Sequence, residues 1–534
     1  MKKKILLLMV QTEDMILNNE EPGICCIASY LRMHGYEVRL MSELKNKIDF
    51  EAIRRYRPDL VGLPVYKISE TAALNAGETI KTLLPETRVC LGGYLPSYEY
   101  SALMARYDFV DYIIRGEGEI PFLNLIQSLE ENRDLASVEG LIYRRNGGIC
   151  INDMPGVRVP LNDLPWMARD LLKENKYKMA LISGSRGCTG NCSFCVTGSH
   201  YKKWRGRTVA DIVDELEYVQ KTYDIHVFYF IDCSFENPGN SYDRVAKLAE
   251  EIRRRGLKIH YFAFFRADFQ RNATPELMNL LRESGLFCSI LGIEAANEAC
   301  LKLYRKSATL SDNEKAIKLF RKNGIFVEMG FIMFNPYSTF ERLRTNVDFL
   351  EKHRVACYLD YLLSRYSMYK GCALNQKIIA DGLAFGDDES YQYDYRDKRI
   401  QAMASYAVDF FYRIYRETGL KATQIHDTII SYEYIKIMHR DDLQLCRLLE
   451  ERKPVSDKMA DEANRRFADW FRALLKLAES NWNSIEADRI GERLIPRNYL
   501  IDFFTEMESR KKIFYLKLHR AGITLKKNPY IESI

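Results

Sequence analysis

Short apolar runs alternate with longer amphipathic stretches along the first 145 residues, and this alternation constrains the fold more than any other feature. Strands buried on both faces appear as continuous apolar runs, and helices between them place those strands parallel in one sheet. The pattern predicts an α/β fold with an N-terminal doubly wound parallel sheet. The expected strands span residues 4–10, 37–41, 60–66, 88–91 and 112–115, with helices over 23–34, 49–56 and 70–84.

The alternation resumes at Met179, after a stretch with two Pro-containing turns, and the pattern becomes mainly helical beyond residue 386. Six strands separated by helices indicate a partial (β/α)6 barrel. The expected barrel strands are 179–183, 227–231, 259–265, 289–293, 327–333 and 358–366. The predicted organisation is a doubly wound domain over 1–145, a linker over 146–175, the partial barrel over 176–385 and a mainly helical domain over 386–534.

The composition is that of a folded protein without extreme charge. Hydrophobic residues make up 47% of the chain, and the net charge is +5 from 78 basic and 73 acidic residues. This balance does not indicate nucleic-acid binding, and no segment reaches the roughly 20 apolar residues of a membrane span. The apolar start is too short for a signal peptide, and the 13 scattered cysteines are typical of reduced thiols. We therefore expect a cytoplasmic protein.

The tightest group of cysteines is Cys188, Cys192 and Cys195, spaced C-x3-C-x2-C directly after the first predicted barrel strand. Three thiolates on one short loop can bind three irons of a [4Fe–4S] cubane and leave the fourth iron without a protein ligand. That open iron can chelate the amino and carboxylate groups of S-adenosylmethionine (SAM). The alternative is a zinc loop with His200 as a fourth ligand, but no second cysteine pair is nearby. The spacing therefore predicts an iron–sulfur cluster.

This spacing and its surroundings resemble the radical SAM superfamily. Residues 204–208 and 212–215 resemble the segment after the cluster in members that carry a cobalamin domain. Three further stretches resemble the ends of the second, third and fourth barrel strands: 230–235, 265–268 and 292–294. The resemblance implies a [4Fe–4S] cluster and SAM as cofactors.

The resemblance also implies that Asp232, Arg266 and Glu294 line the SAM site. Each follows an apolar strand at its carboxyl end, where barrels place ligand contacts. A carboxylate accepts hydrogen bonds from the ammonium or ribose hydroxyls of SAM, and Arg266 suits its carboxylate. The alternative for each residue is a helix cap or an ion pair at the barrel rim. Two strand ends depart from the family pattern, at residues 334–336 and 369–372.

The N-terminal unit resembles the Rossmann-like cobalamin-binding domain of the same class. The resemblance lies in residues 22–31, 61–66, 91–93 and 111–119. It implies that cobalamin is bound by Gly62, Val65, Tyr66, Gly92, Gly93, Gly116 and Glu117, which lie at successive strand ends. The D-x-H-x-x-G loop of other cobalamin proteins is absent, so a histidine below the cobalt is not expected. The alternative is a degenerate domain that only supports the barrel.

Together these resemblances imply a cobalamin-dependent radical SAM enzyme. The leading hypothesis is a C-methyltransferase, in which a 5′-deoxyadenosyl radical abstracts hydrogen from an unactivated carbon that then takes a methyl group from methylcobalamin. The alternatives are a cyclisation, rearrangement or redox reaction with the same cofactors, a methylthiotransferase, and a non-catalytic cobalamin or iron–sulfur sensor. The expected partners are a small-molecule or peptide substrate and an external electron donor such as flavodoxin or ferredoxin. The sequence assigns no further catalytic side chain.

Overall fold

A computed structural model gives the architecture of most of the chain. It describes residues 2–12, 20–154, 159–174, 179–201, 203–236, 242–386, 391–418, 435–436, 442–450, 453–503, 505–506 and 509. Residues 155–158 and 175 of the predicted linker, and much of the predicted domain 386–534, lie outside these ranges. No helix among the described residues is long and apolar enough to cross a bilayer.

The N-terminal unit is a seven-stranded sheet with the order β2-β1-β3-β4-β5-β6-β7, in which β1 to β5 are parallel. All seven residues of β1 are buried, because helices cover both faces of the sheet. The strands are Ile5–Gln11, Val38–Leu44, Leu60–Pro64, Arg88–Gly92, Tyr112–Ile114, Leu141–Arg145 and Gly148–Ile151, and the helices α1 to α5 are Pro22–Met33, Phe50–Tyr56, Glu70–Leu83, Tyr94–Arg106 and Glu119–Glu131.

The strand order reverses between β1 and β3, which lie side by side in the sheet. In doubly wound sheets such a reversal opens a crevice beyond the carboxyl ends of the two strands, and ligands bind there. The fold therefore places the crevice next to Gln11 and to the segment that follows Pro64.

The strands β6 and β7 form an antiparallel hairpin on the edge of this sheet. The sequence analysis assigned residues 146–151 to the linker, but Gly148–Ile151 is a strand of the N-terminal sheet. The sequence analysis missed the hairpin because the exposed edge strand GICI shows too little alternation of polar and apolar residues to be distinguished from a loop.

The second unit is a curved, five-stranded parallel sheet with the order β14-β13-β12-β11-β8. A two-residue antiparallel pair, β9 and β10, lies beside it. Its strands β8 to β14 are Met179–Ile182, Ser185–Arg186, Arg205–Gly206, Val227–Phe230, His260–Arg266, Leu286–Glu294 and Phe326–Phe331, and the helices α6 to α12 are Thr197–Tyr201, Val209–Tyr223, Asp243–Arg254, Pro275–Glu283, Glu298–Leu303, Leu310–Lys322 and Phe340–Lys352.

Threonines fix the starts of four barrel helices. The side chains of Thr208, Thr274, Thr309 and Thr339 each accept a hydrogen bond from a backbone N–H in the first turn of the following helix. Such caps satisfy N–H groups that have no partner within the helix. They place each helix directly after a turn, so that it packs back on the sheet.

The predicted sixth strand over residues 358–366 is wrong. The segment contains a short helix, α13 (Leu359–Leu362), followed by a single parallel bridge between Phe334 and Arg365. The backbone N–H groups of Phe334 and Tyr366 donate to Ser364 and Phe334 at 2.9 and 2.8 Å, so the sixth barrel position is one bridge wide. Leu359 and Leu362 are buried and three residues apart, which is helical spacing. The apolar run around them is continuous, so it could equally indicate a buried strand.

The described part of residues 386–534 is mainly helical, as expected, and shares one apolar core with the barrel. The side chain of Asn464 accepts from Ala356 N–H at 2.7 Å and donates to Glu351 at 2.9 Å, beside the end of α12. The ring of Phe471 packs 5.7 Å from that of Phe334. The remaining elements are α14 Ala373–Ala380, β15 Ala384–Phe385, β16 Gln392–Tyr393, and α15 to α18 at Lys398–Thr418, Leu443–Glu450, Lys453–Ser480 and Ser484–Leu494.

Arg169 forms a buried ion-pair bridge between the two units. Its guanidinium donates to Glu20 of the N-terminal unit at 2.8 Å and to Glu215 of α7 at 2.6 Å. Glu20 also accepts from the backbone N–H of Leu181 in β8 at 2.9 Å. All three charged side chains are 4% exposed or less, and the two carboxylates hold the pKa of Arg169 above its ordinary value.

We predict that Arg169→Met lowers the midpoint of thermal unfolding. Removing the guanidinium takes away the cation that buried Glu20 and Glu215 share, which costs about 3–5 kcal/mol. Scanning calorimetry measures the change. Arg254→Met removes an exposed ion pair with Glu251 instead and should leave the midpoint unchanged. Equal midpoints for the two variants would contradict a stabilising role for the Arg169 bridge.

Candidate functional site

The three cysteines lie on one loop between β9 and α6, and all three are partly exposed and unbonded to other cysteines. Ser193 anchors this loop to the barrel: its N–H donates to Tyr304 at 2.9 Å and its hydroxyl to Leu303 at 2.7 Å. Its carbonyl accepts from Leu374 N–H at 2.7 Å. The backbone and the hydroxyl of Ser193 therefore hold the middle of the loop in place.

Gly187 allows the loop to turn tightly before Cys188. Its φ is +86°, and a Cβ atom there would lie 2.5 Å from the carbonyl oxygen of Lys203. Only glycine fits both the left-handed conformation and the close approach.

Two cationic side chains, Arg266 and Lys306, lie near the thiols of Cys188 and Cys192. The guanidinium of Arg266 and the thiols of Cys188 and Cys192 all lie close to Gly190. A Cβ atom at Gly190 would be 2.6 Å from Nη1 of Arg266, 3.4 Å from Sγ of Cys188 and 3.7 Å from Sγ of Cys192. Burial raises the pKa of Cys192, and the nearby ammonium of Lys306 opposes that shift. Thiolates beside two cations fit an iron–sulfur cluster, which is anionic at its ligands.

Among the described residues, no group of three His, Cys, Asp or Glu side chains is placed to hold one metal ion. In a cubane each thiolate binds its own iron, so the three sulfurs do not need to meet at a single ion.

Asp232 lies beneath the start of the cysteine loop, just beyond β11. Its fully buried carboxylate accepts hydrogen bonds from Gly184 N–H at 2.8 Å and from the Ser185 hydroxyl, and Arg244 lies 3.9 Å away. Burial raises its pKa, and Arg244 opposes the shift. Asp232 does not line any of the three cavities described below, so its predicted contact with SAM stays a prediction; its hydrogen bonds hold the backbone that leads into the cysteine loop.

Arg266, at the end of β12, faces the cysteine loop. It donates two hydrogen bonds to Asp268 at 3.0 and 2.8 Å and one to Ser307. It lines a cavity of about 410 Å³ together with Cys192 and Lys306. The sequence analysis did not single out Asp268, Ser307 or Lys306, although Asp268 follows Arg266 by two residues in one of the quoted stretches.

Glu294 occupies space that two glycines leave open. Gly292 and Gly330 are paired in register on β13 and β14, and a Cβ atom at Gly330 would lie 3.2 and 3.3 Å from the two carboxylate oxygens of Glu294. Glu294 has φ +66°, and its carboxylate lies 3.6 Å from the ammonium of Lys306. Left-handed backbone at a non-glycine residue is unusual and is concentrated at functional sites. Arg266 and Glu294 thus both lie next to Lys306 and Cys192, whereas Asp232 lies below the loop.

A second cavity, of about 300 Å³, lies at the carboxyl ends of the N-terminal strands. The fold brings six of the seven predicted cobalamin residues to its wall: Gly62, Tyr66, Gly92, Gly93, Gly116 and Glu117. Val65 is buried behind the wall, and its carbonyl oxygen is 3.4 Å from where a Cβ atom of Gly93 would lie. The barrel contributes Ser183, Ser185, Arg186, His200, Tyr201, Ile231 and Cys233 to the same cavity.

Two of the predicted cobalamin residues, Tyr66 and Glu117, form hydrogen bonds with other side chains. The hydroxyl of Tyr66 donates to buried Glu21, and burial beside that carboxylate holds the pKa of Tyr66 well above its ordinary value. Glu117 accepts from Arg186 of β9 at 2.9 Å and from Arg205 of β10, so it also joins the N-terminal unit to the strand pair that flanks the cysteine loop. The glycines are therefore the part of the wall that lets a ligand approach the backbone.

A third cavity, of about 660 Å³, lies between the two units. It shares Glu21, Pro22, Tyr66 and Tyr94 with the glycine-lined cavity. The barrel interior contributes Met179, Leu181 and Tyr229, and the cysteine loop contributes Val196, the residue after Cys195. A ligand larger than either space can extend across both, and the largely apolar walls suit a bulky organic group.

Comparisons with known proteins agree with this geometry. The model of the radical SAM superfamily matches residues 182–350, and that of the B12 binding domain matches residues 18–126. A structure of the cobalamin-dependent S-adenosylmethionine radical enzyme OxsB, with aqua-cobalamin and S-adenosylmethionine bound, superposes with a TM-score of 0.72. The superposition covers 100% of this chain and 83% of that one at 18% identity, so it shows a shared fold.

Two curated relatives match a large part of the chain. An uncharacterized methyltransferase of Pyrococcus horikoshii is 26% identical over 71% of this chain and 84% of its own. The anaerobic magnesium-protoporphyrin IX monomethyl ester cyclase of Rubrivivax gelatinosus is 29% identical over 61% of each chain. This chain thus spans about three-fifths of the cyclase.

The two matched families imply the cofactors. The radical SAM domain implies a [4Fe–4S] cluster and SAM, and the B12 binding domain implies cobalamin. The cysteine loop lies within the first matched segment, and the glycine-lined strand ends lie within the second. The chain thus carries a radical SAM domain and, on its N-terminal side, a B12 binding domain.

Proposed function

We propose that the protein is a methyltransferase that uses cobalamin and SAM to methylate an unactivated carbon of a small-molecule or peptide substrate. The observation that carries the proposal is the 660 Å³ cavity, whose wall includes Val196 of the cysteine loop and Tyr66 and Tyr94 of the glycine-lined cavity. A substrate carbon there is adjacent to both cofactor sites. The methyltransferase name of the Pyrococcus horikoshii relative supports the same reaction class.

We assign the cofactor contacts as follows. Cys188, Cys192 and Cys195 hold the cluster, and Arg266 and Glu294 bind the polar groups of SAM. Gly62, Gly92, Gly93 and Gly116 bring backbone against cobalamin, with Val65, Tyr66 and Glu117 supporting that wall. When bound, the cluster supplies the electron that cleaves SAM, and cobalamin supplies the methyl group.

The side chains of the interdomain cavity position the substrate and exclude water. Met179, Leu181 and Tyr229 form an apolar wall in the barrel interior. Tyr94 packs 4.3 Å from the ring of His200 and 6.4 Å from that of Tyr201, which joins the N-terminal unit to α6. Holding reactants in a dry, fixed arrangement lowers the barrier and limits side reactions of the radical.

A second candidate is a cyclisation with the same cofactors, because the Rubrivivax gelatinosus relative is named a cyclase. The products distinguish the two. Methyl transfer yields 5′-deoxyadenosine and S-adenosylhomocysteine in equal amounts, whereas cyclisation yields 5′-deoxyadenosine without S-adenosylhomocysteine.

We predict that Cys192→Ala abolishes formation of 5′-deoxyadenosine, because only two thiolates remain on the loop. The variant is reconstituted anaerobically with iron, sulfide and cobalamin, and SAM products are measured by mass spectrometry. Cys150→Ala, in strand β7 of the N-terminal sheet, is the matched control and should retain SAM cleavage. Continued cleavage by Cys192→Ala would refute the cluster assignment.

Asp232→Asn should weaken iron retention about tenfold under a chelator challenge. The amide keeps the shape of the carboxylate but offers one acceptor where Gly184 and Ser185 both donate, and loss of such supporting contacts typically weakens metal binding by 10–100-fold. Iron and sulfide analysis over time gives the result. The exposed Asp224→Asn serves as control, and identical retention in both variants would show that Asp232 does not position the loop.

Gly93→Ala should weaken cobalamin binding about tenfold or more. Gly93 has φ +98° and ψ −171°, a conformation that other residues adopt only with about 1–3 kcal/mol of strain, so the substitution shifts backbone in the cavity wall. Equilibrium dialysis with hydroxocobalamin measures the dissociation constant. Gly256→Ala places a side chain at φ +67° with open space around it and should not change cobalamin affinity. Full affinity in Gly93→Ala would argue against the glycine-lined cavity as the binding site.

A further inference from the structure

Part of the cysteine loop reaches the protein surface. Thr189 and Asn191 are exposed there, and the 410 Å³ cavity beside them includes Cys192. An exposed stretch of the loop therefore borders a cavity that one cluster cysteine lines.

Basic side chains surround this exposed edge. The cavity wall contains four cations and one acidic residue: Arg266, Lys302, Arg305 and Lys306 against Asp268. We call these four cations the basic patch. Arg266 is paired with Asp268, and Lys306 lies 3.6 Å from Glu294, so both serve groups within the site.

Lys302 and Arg305 differ from the other two cations. Both are exposed, and neither forms an ion pair within the part of the chain that the structure describes. Lys302 lies in the last turn of α10, and Arg305 lies two residues beyond the end of that helix with φ +52°. Two uncompensated charges thus lie on the rim of the one described cavity that contains a cluster cysteine.

We propose that the basic patch is the docking surface for a small acidic electron-transfer protein of the flavodoxin or ferredoxin kind. The inference rests on the proposed function, because it requires a cluster on the cysteine loop. The step is a single electron transfer: the reduced donor loses one electron, the [4Fe–4S]2+ cluster becomes [4Fe–4S]1+, and no bond forms or breaks.

Geometry and charge together favour this face. Val196, at the far end of the loop, lines the interdomain cavity, whose wall also includes residues of the N-terminal unit. Thr189 and Asn191 are exposed and flank the cluster cysteines, so they give a protein donor access to the loop. Uncompensated cations at that edge raise the encounter rate with an acidic partner and orient it, an effect that falls with ionic strength.

The test compares Lys302→Glu/Arg305→Glu with a control of equal charge change. Lys458→Glu/Lys476→Glu alters two exposed lysines on α17, the helix that packs along α12. Each protein is reconstituted with cluster and cobalamin. Stopped-flow absorbance then follows loss of the oxidised cluster after mixing with flavodoxin hydroquinone, or with photoreduced 5-deazariboflavin as a small uncharged reductant.

At low salt we expect the patch variant to react with flavodoxin hydroquinone at about one tenth of the wild-type rate, or more slowly still. The difference between the two rates should shrink as salt is added. Its reduction by deazariboflavin should match the wild type. Calorimetric titration with oxidised flavodoxin should show the same loss of affinity without any turnover. The control variant should resemble the wild type in all three measurements.

Equal slowing in the control variant would overturn the proposal, because overall charge would then explain the effect. Slower reduction by deazariboflavin in the patch variant would also overturn it, since Lys302 and Arg305 would then support the cluster or an anionic small ligand. A wild-type protein that deazariboflavin reduces normally but flavodoxin does not bind would refute docking while leaving the proposed function intact. Absence of any reducible cluster in the wild type would instead refute the proposed function.

Discussion

Buried ion pairs hold the carboxyl ends of two parallel sheets against each other. Arg169 joins Glu20 of the N-terminal unit to Glu215 of α7, and Arg186 of β9, just before the cysteine loop, joins Glu117 and Glu119. Burying such charges is costly unless every partner is in place, so these contacts specify one arrangement of the two units. The interdomain cavity and the position of the cysteine loop both follow from that arrangement.

The two sheet edges that face each other differ in the chemical groups they carry. The N-terminal edge is lined with glycines, two of which have positive φ at the cavity wall, and it presents backbone to a ligand. The barrel edge carries thiols and charged side chains, with Arg266, Glu294 and Lys306 gathered around Cys192. Because the edges face each other, chemistry started at one can reach a substrate that also contacts the other.

Much of this was predictable from residues 4–115 and 179–333, where buried strands and amphipathic helices have distinct periods. The edge hairpin at 148–151 was missed because its exposed residues show no alternation, and the sixth barrel strand was wrong because a short helix gave the same apolar run. The cysteine spacing located the loop, and the glycines located the N-terminal cavity. The contacts of Asp232, Lys306 and Arg169 depend on residues far apart in sequence, which local patterns do not encode.

The central claim is that the cysteine loop binds a cubane with one iron open to SAM. Mössbauer spectroscopy of the anaerobically purified, iron-57-labelled protein tests it most directly. The account predicts one [4Fe–4S] cluster per chain and a change in the signal of one iron when SAM is added. A loop fully occupied by zinc, or a cubane whose spectrum SAM leaves unchanged, would contradict it.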